Sequence, residues 1–419
     1  MFSVGSGLSG VRWAAERGGG DGLVHLPGDP PSLAELQRLD EQFTIDTYAR
    51  LPLDAVRGEG VRLWDAAGEE YLDLLAGISV SNVGHCHPHV VAALTGQAQW
   101  LLHVSNLVHT APALQLAERL ASGSLGDGTK VFLCNSGAEA VEGALKLARR
   151  AKRGGEIVVV RDGFHGRTMG ALSATPQEAK QAPFAPLVPG FVVAEPTVDG
   201  IVAAVHQGTA AVLLEPIRGE SGVWPVPDEV LVAARSACDR VGAALIFDEI
   251  QTGLGRTGTF WRFEGTPVVP DVVTSAKALG GGLPIGAVIA GPAYANVLQR
   301  GDHGSTFAGS PVIAAAALAT LDVLEDAALL AHVQRVGERL RDGVARLPGV
   351  TAVRGCGLMV GFDLEGGGAP ELVGRALREQ RMLLNATGPQ TIRLLPPLII
   401  QDSEIDDALG RLAALLESR

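Results

Sequence analysis

The sequence has few cysteines, no long apolar run and no block of basic residues, and each absence excludes a class of protein. The four cysteines lack a paired spacing, which argues against a disulfide framework and fits a reducing compartment. The longest apolar stretch, residues 311–321, is too short and too rich in alanine to cross a bilayer. The formal net charge of −12 makes nucleic acids and anionic membrane surfaces poor partners.

The bulk composition is that of a well-packed globular protein. Apolar residues make up 47% and charged residues 19% of the 419 residues, enough for two or three domains with buried cores. The chain opens without a basic segment followed by an apolar core, so we expect a cytoplasmic protein. Glycine and proline are frequent early in residues 1–43, which we expect to be a flexible N-terminal extension.

Apolar runs and amphipathic runs alternate along the chain. Strands are predicted at residues 130–133, 156–160, 210–214, 243–248 and 284–290. Helices are predicted at residues 138–150, 228–241, 329–346, 370–379 and 405–416. These strands are apolar along their whole length, which is typical of a mostly parallel sheet covered by helices on both faces.

We therefore predict an α/β protein with a mostly parallel sheet and a second, smaller α+β lobe. Residues 81–310 form the large, cofactor-binding domain in this interpretation. Residues 44–80 and 311–419 together form the small domain. Within its N-terminal part, residues 60–65 and 70–74 alternate around a glycine turn and predict a hairpin.

Two strand ends carry the residues with the most chemical information. One apolar strand ends at Asp248 and delivers a carboxylate to a sheet edge, and residues 271–277 deliver Lys277 in the same way. A lysine amine can form an imine with pyridoxal phosphate, and a carboxylate can keep the pyridine nitrogen protonated. The alternative is a plain ion pair beside a glycine turn.

Residues 134–140 lie between a predicted strand and a predicted helix. Gly137 lets the backbone approach a ligand, and free N–H groups at the helix start would then face an anion. Alternatively, Asn135 or Ser136 is a plain helix cap. Together with Lys277, the pattern predicts a phosphate-binding helix start.

Phe164 and Arg167 follow the strand at residues 156–160, again at a sheet edge where ligands collect. An aromatic ring there can lie flat on a cofactor ring, and an arginine can bind a carboxylate with two hydrogen bonds. The alternative is a core phenylalanine and a surface arginine.

Three charged residues complete the candidates. Glu215 and Glu220 follow another strand and are either acid/base or charge partners, or solvated loop carboxylates. Arg393 stands in an otherwise apolar run, where an arginine normally meets an anion. A histidine-rich loop at residues 84–89 resembles a metal site in composition, but no second cluster completes a coordination sphere, so no metal is predicted.

With these residues in order, the chain resembles the subgroup III aminotransferases of pyridoxal-phosphate fold type I, most of all those acting on acetylornithine. The resemblance runs from about residue 48 to the C-terminus. It rests on an ordered set of motifs: GEGVRLWDAAGEEYLDLLAGI (58–78), GHCHP (84–88), NSGAEA (135–140), FHGRT (164–168), EPIRGE (215–220), FDEIQTGLGRTG (247–258), AKALGGGLPIGA (276–287), STFAGSP (305–311) and IRLLPPL (392–398).

The resemblance implies a role for each residue around the cofactor, pyridoxal 5'-phosphate. Lys277 would bind it covalently and move the proton between the substrate carbon and the cofactor carbon. Asp248 would pair with the pyridinium nitrogen, and Gln251 would reach the ring hydroxyl.

The same resemblance implies how the rest of the cofactor is held. Gly137 and Ala138 would bind the phosphate through backbone N–H groups, and Phe164 would stack on the ring. Thr306 would hydrogen-bond the phosphate of the neighbouring subunit's cofactor, so a homodimer with shared active sites is implied.

The substrate positions follow from the resemblance as well. Arg167 and Ser305 match the positions that bind acetylornithine, and Arg393 matches the arginine for the α-carboxylate of 2-oxoglutarate or glutamate. Glu220 matches an acidic gate that pairs with this arginine or releases it. Arg218 departs from the glutamine usual in the family, and a positive charge beside Glu220 would weaken the gate or attract a further carboxylate.

The expected reaction moves the terminal amino group of N2-acetyl-L-ornithine to 2-oxoglutarate, giving N-acetylglutamate 5-semialdehyde and L-glutamate in arginine biosynthesis. Alternatives are a transaminase for ornithine, 4-aminobutyrate, succinylornithine or succinyl-diaminopimelate, and an aminomutase or decarboxylase of the same fold. A non-catalytic binding module is a further alternative, against which the intact Lys277 and Asp248 argue.

Overall fold

The computed structural model describes residues 31–418, which fall into two compact units that divide after Asp54. In the first unit, helix α1 (Leu33–Phe43) begins at Ser32, whose hydroxyl accepts a hydrogen bond from the Glu35 N–H at 3.3 Å. The sequence suggested flexible chain for residues 1–43, yet this capped segment of it is helical. The rest of that predicted extension, residues 1–30, lies outside the described residues.

The second unit holds all the strands among the described residues. They are β1 (Ala55–Glu59), β2 (Arg62–Asp65), β3 (Glu70–Asp73), β4 (Lys130–Cys134), β5 (Glu156–Val160), β6 (Phe191–Ala194), β7 (Thr209–Leu214), β8 (Ile217–Arg218), β9 (Trp224–Pro225), β10 (Ala244–Asp248), β11 (Val272–Ser275), β12 (Gly286–Ala290), β13 (Val350–Cys356), β14 (Met359–Leu364), β15 (Met382–Leu383), β16 (Asn385–Ala386) and β17 (Thr391–Leu394).

Helices separate and cover these strands. The α-helices are α2 (Ala76–Ser79), α3 (Pro88–Ala98), α4 (Ala111–Ser122), α5 (Gly137–Ala151), α6 (Met169–Ser173), α7 (Glu178–Gln181), α8 (Val198–Ala204), α9 (Asp228–Val241), α10 (Pro311–Leu324), α11 (Ala327–Val344), α12 (Ala369–Gln380) and α13 (Asp402–Glu417). Short 3₁₀ helices lie at Ser105–Leu107, Ala182–Phe184, Arg262–Gly265 and Lys277–Gly280.

A seven-stranded sheet in the order β4-β12-β11-β10-β7-β5-β6 forms the centre of the second unit. Strand β12 runs antiparallel to both of its neighbours, and the other pairs are parallel, which confirms the predicted mostly parallel α/β sheet. Every residue of β7, β10, β11 and β12 is buried, because helices cover both faces. Their apolar composition follows from this burial.

The pairing of β10 with β11 positions the two residues that the sequence singled out. The strands are parallel, with Asp248 opposite Thr274, so their carboxyl ends lie at the same sheet edge. Asp248 is the last residue of β10, and Lys277 follows two residues after the end of β11. Carboxyl ends of parallel strands are where ligands bind in open α/β sheets.

Two smaller sheets join segments that are distant in the chain. One has the order β1-β2-β3-β15, in which Leu72 of β3 pairs with Met382 of β15, and the other has the order β13-β14-β17-β16. The predicted hairpin at residues 60–74 is the antiparallel pair β2-β3. The proposed division into a large domain (81–310) and a small one (44–80 with 311–419) remains a prediction. No helix among the described residues is both long and apolar enough to span a bilayer.

Candidate active site

A cavity of about 440 Å³ opens at the carboxyl edge of the central sheet. Its walls combine a strand-end carboxylate, a lysine, the start of a helix and an aromatic ring. The predicted site residues that line it are Gly137, Ala138, Phe164, Glu220, Asp248, Gln251 and Lys277.

Lys277 is the amine of this cavity. Burial lowers the pKa of its ammonium group, and the nearby Arg393 charge adds to the effect, while the charge of Glu220 opposes it. Its backbone φ is +43°, in the left-handed region that non-glycine residues rarely adopt, and it is the first residue of the 3₁₀ helix Lys277–Gly280. A buried amine with a lowered pKa loses its proton readily and is then a nucleophile and a base.

Asp248 is held from three sides. Its Oδ2 lies 2.7 Å from His165 Nδ1, and its Oδ1 accepts hydrogen bonds from Thr274 Oγ1 and the Ile250 N–H, both at 3.2 Å. His165 is itself buried, and its Nε2 has no partner within the described residues. The sequence prediction did not include His165, although it lies in the FHGRT motif. These contacts fix the carboxylate toward the cavity.

Helix α5 presents its N-terminus to the cavity. Ser136 caps the helix by accepting a hydrogen bond from the Glu139 N–H at 3.2 Å, as the alternative interpretation predicted. Gly137 and Ala138 nevertheless line the cavity. The first N–H groups of a helix lack intrahelical acceptors and face an anion favourably. A Cβ on Gly137 would come within 2.9 Å of the Ile250 side chain, so the close backbone approach depends on glycine.

Glu215 joins two loops beneath the aromatic wall. Its Oε1 accepts the Phe164 N–H at 2.8 Å, and its Oε2 accepts the Gly219 N–H at 3.1 Å. Burial raises the pKa of Glu215 to about 7, because a charged carboxylate is poorly solvated there. The residue therefore ties the Phe164 loop to the loop that carries Glu220.

Arg393 is buried and fully engaged. Its Nη1 lies 2.7 Å from Glu220 Oε1 and 3.2 Å from Gln251 Oε1, and its Nη2 donates to Asn385 Oδ1 at 2.7 Å. Burial raises the pKa of Glu220, but the charge and hydrogen bond of Arg393 outweigh it, so the pKa is lowered and the pair is ionic. The sequence did not point to Asn385, because an asparagine in a short strand carries no distinctive pattern.

Four predicted substrate or cofactor residues do not line this cavity: Arg393, which lies behind Glu220, and three residues outside it. Arg167 is exposed, and its Cζ lies 5.7 Å from the centroid of the Phe164 ring at the cavity wall. Ser305 accepts a hydrogen bond from Asn135 Nδ2 at 2.8 Å, which places it beside the start of α5. Thr306 is exposed.

Arg218 lies apart from the Glu220–Arg393 pair. Its Nη1 donates to the Arg161 carbonyl at 3.1 Å and lies 3.9 Å from Asp162. The Arg218 side chain points toward the loop after β5. No contact of Arg218 with Glu220 therefore supports the weakened gate, or the further carboxylate site, that the sequence suggested.

The donor set fits pyridoxal phosphate. A buried amine, a fixed carboxylate and a helix N-terminus match the aldehyde, the ring nitrogen and the phosphate of that molecule. No group of three or more metal-ligating side chains occurs in residues 31–418, and His85 of the histidine-rich loop pairs with Asp73 at 2.7 Å. The arrangement can hold a carbonyl cofactor and move a proton beside it.

The chain matches the model of the family "Aminotransferase class-III" over residues 45–416, and it belongs to that family. It is therefore a pyridoxal-phosphate-dependent aminotransferase of fold type I. Among known proteins it is similar to the acetylornithine aminotransferase of Streptomyces coelicolor, with 49% identity covering 88% of this chain and 91% of that one. The Mycobacterium tuberculosis acetylornithine aminotransferase is 46% identical, covering 94% and 98% of the two chains.

A solved structure shows the same fold. The ornithine aminotransferase of Toxoplasma gondii superposes with a TM-score of 0.88 at 32% identity, covering 93% of this chain and 96% of that one. The class of enzyme is thus common to the sequence and structure comparisons, while the names of the relatives differ in the amino donor.

Proposed function

We propose that the protein transfers the terminal amino group of N2-acetyl-L-ornithine to 2-oxoglutarate, giving N-acetylglutamate 5-semialdehyde and L-glutamate, a step of arginine biosynthesis. Relatives named acetylornithine aminotransferase, 43–49% identical over most of the chain, support this assignment. The observation that carries it is the buried Arg393 held by Glu220 beside the Lys277 cavity. Such a pair lets one site accept substrates with and without an α-carboxylate at the reacting end.

We propose that five residues, together with Gln251, hold the cofactor in one subunit. Lys277 supplies the covalent link and Asp248 faces the ring nitrogen, with the Phe164 ring against the cofactor ring. Gly137 and Ala138 supply backbone N–H groups to the phosphate at the helix start, where the helix dipole favours an anion. All five residues line one cavity, which supports these roles.

Gln251 is proposed to reach the ring hydroxyl through its side-chain amide. Its Oε1 accepts a hydrogen bond from Arg393 at 3.2 Å, which leaves its Nε2 group to donate. Gln251 then connects the cofactor to the substrate-binding arginine.

The residues of this chain act on protons and charge. When bound, pyridoxal phosphate supplies an electron-accepting ring that stabilises negative charge on the carbon next to nitrogen. Asp248 would face the ring nitrogen, where a carboxylate favours the protonated form of that nitrogen. The Lys277 amine would move a proton between the substrate carbon and the cofactor carbon on the other side of the nitrogen, and its burial makes the neutral form accessible.

Substrate choice is proposed to rest on four side chains. Arg167 and Ser305 bind acetylornithine at the cavity mouth while Glu220 covers Arg393. When 2-oxoglutarate or glutamate enters, Glu220 releases Arg393, which binds the α-carboxylate with two hydrogen bonds. The 2.7 Å contact of Glu220 with Arg393 corresponds to the first of these two states.

We also propose a homodimer in which Thr306 reaches the phosphate site of the neighbouring subunit. Large apolar side chains are exposed in residues 100–114 and at Phe307, and Asn106 joins the two segments by donating to the Ala308 carbonyl at 2.9 Å. The exposed side chains are Trp100, Leu102, Leu107, Val108, Leu114 and Phe307. Apolar patches of this kind mark interaction surfaces. Light scattering is expected to give twice the chain mass of 43.4 kDa.

The four free cysteines support a cytoplasmic location, because reducing compartments keep thiols unpaired.

A donor panel tests the proposed reaction. The purified enzyme is assayed with 2-oxoglutarate and either acetylornithine, ornithine, 4-aminobutyrate or succinylornithine, and kcat/KM is compared. Acetylornithine is expected to give the highest value. A preference for ornithine would favour the second candidate, an ornithine aminotransferase, which the superposition on the Toxoplasma gondii enzyme supports. Turnover without a keto acid would indicate an aminomutase.

A further inference from the structure

Lys180 lies beside the Phe164 ring, which lines the cavity, and the proposed function does not use it. It lies in the short helix α7, and its Nζ contacts the side-chain oxygen of Gln177. The amide nitrogen of Gln177 donates to the carbonyls of Asp162 at 3.2 Å and Gly163 at 3.1 Å, in the loop just before Phe164. These contacts hold the lysine against the loop that carries the aromatic wall.

Lys180 and Arg167 face the same ring. Lys180 Nζ and Arg167 Cζ each lie 5.7 Å from the centroid of the Phe164 ring. Two cations beside one ring repel each other: burial lowers the pKa of Lys180, the Arg167 charge lowers it further, and the Glu220 charge opposes both. An anion bound between the two cations would relieve this repulsion.

Within residues 31–418, Lys180 and Arg167 both lack a paired carboxylate. In the part of the chain that the structure describes, no carboxylate lies within 4.0 Å of Lys180 or Arg167. Arg393, by contrast, is paired with Glu220 at 2.7 Å. Around the cavity, Arg393 is therefore paired with a carboxylate, whereas the two cations beside Phe164 are not.

The proposed substrates carry a carboxylate far from the reacting atom. In acetylornithine the only carboxylate lies at the end opposite the terminal amine. In 2-oxoglutarate the second carboxylate lies at the end opposite the keto group, and Arg393 can bind only the first. Both distal carboxylates would point away from Lys277 toward the mouth.

We propose that Lys180 is a specificity-determining residue that binds the distal carboxylate of either substrate together with Arg167. The proposal rests on the proposed function for the identity of the donor. It predicts that the enzyme distinguishes substrates by a charge four or five atoms from the reacting centre, and that Lys180 supplies part of this discrimination.

The test compares substrates that differ only in that carboxylate. The loaded enzyme is assayed with acetylornithine and with N-acetylputrescine, which has the same terminal amine and amide but no carboxylate, and the ratio of kcat/KM values is measured. In Lys180→Gln this ratio is expected to fall about tenfold, because one charge-assisted contact is lost. In Lys180→Arg it is expected to stay within about threefold of the wild-type ratio.

Lys130→Gln is the matched control. Lys130 begins β4, at the end of the strand away from Asn135 and the cavity, and its Nζ bonds Asn296 at 2.7 Å. This variant removes the same charge and is expected to leave the ratio unchanged. The visible absorbance of the bound cofactor verifies that each variant is folded.

The proposal fails if Lys180→Gln keeps the wild-type ratio, or if Lys180→Arg loses as much as Lys180→Gln. It also fails if activity with N-acetylputrescine drops as much as activity with acetylornithine. If the wild-type enzyme rejects acetylornithine, the proposed donor is wrong, and Lys180 is then judged on the acceptor. There, the preference for 2-oxoglutarate over pyruvate, which lacks the distal carboxylate, must fall in Lys180→Gln.

Discussion

Arg393 is 1% exposed, and its Nη1 lies 2.7 Å from Glu220 Oε1. A buried cation of this kind is costly without a negative partner, so Glu220 balances the charge whenever no substrate does. Glu220 itself is more exposed, with 28% of its side chain accessible, and can move while Arg393 stays fixed by Asn385. The pair therefore has a fixed member and a movable member.

Substituting Glu220 by Gln is expected to shift the enzyme toward α-carboxylate substrates. The neutral amide no longer competes for Arg393, so the half-reaction with glutamate should become faster and the one with acetylornithine slower. A change of about tenfold in the ratio of the two rates corresponds to about 1.4 kcal/mol. Rapid-mixing absorbance measurements of each half-reaction give this ratio.

Glu195→Gln provides the control for that change. Glu195 pairs with Arg161 at the surface, with 52% of its side chain exposed, so its loss removes the same charge away from the cavity. An equal shift in both variants would mean that overall charge, rather than the Arg393 contact, controls the preference.

Arg218→Gln is expected to leave the order of amino donors unchanged. The Arg218 guanidinium contacts the Arg161 carbonyl and Asp162, and none of its contacts involves Glu220 or Arg393. The variant should keep kcat/KM for acetylornithine within about threefold, since a partly exposed charge pair contributes little. A reversal of donor preference in the panel would show that Arg218 does control the gate.

The sequence predicted the regular elements well where apolar runs had clear ends. The predicted strand 156–160 and helix 228–241 coincide with Glu156–Val160 and Asp228–Val241. The strand predicted at 284–290 begins at Gly286, and its antiparallel direction was not foreseen, because a fully buried strand has the same composition in either direction. Residues 311–321, tested only as a membrane segment, belong to the buried helix α10.

The residues of the candidate site that the sequence indicated are those with a local signal. Lys277 and Asp248 stand at strand ends, a local signal, and they line one cavity. His165 contacts Asp248, and Asn385 contacts Arg393. Such contacts depend on how segments that are distant in the chain come together in the fold. Periodicity within a segment contains no information about them.

Glu249 is expected to make folding depend on pH. Burial raises its pKa from 4.5 to about 7, although N–H groups of Arg262 and Phe263 oppose the shift. The pKa of Glu249 is higher in the folded than in the unfolded protein. Its contribution to the free energy of unfolding is therefore fully present below pH 4.5 and is lost as pH rises toward 7. The loss amounts to about 3 kcal/mol.

Urea unfolding of the wild-type protein and Glu249→Gln at pH 5 and pH 8 measures this contribution. The wild-type protein should lose stability between pH 5 and pH 8 as Glu249 ionises. The variant has no carboxyl group to ionise there, so its free energy of unfolding should fall less between the two pH values. Parallel pH dependences in the two proteins would show that Glu249 is ionised throughout.

Two helical glycines are expected to respond to alanine in opposite directions. A Cβ on Gly337 of α11 would lie 2.3 Å from the Gly357 carbonyl oxygen, so backbone must move and stability should fall by about 1–3 kcal/mol. Gly410 of α13 is exposed, and a Cβ on it would have no neighbouring atom within 4 Å outside its own helix backbone. Alanine there should therefore stabilise the helix by about 0.5–1 kcal/mol. Thermal unfolding of Gly337→Ala and Gly410→Ala compares them directly.

The Lys277 amine, at the edge of the main sheet, is the proposed attachment point of the cofactor. Borohydride reduction of the loaded enzyme, followed by proteolysis and mass spectrometry, locates the amine to which the cofactor is attached. We expect one labelled peptide with the label on Lys277, and no label in Lys277→Ala. A label on any other lysine, or a Lys277→Ala protein with full transaminase activity, would show that Lys277 is not the attachment point.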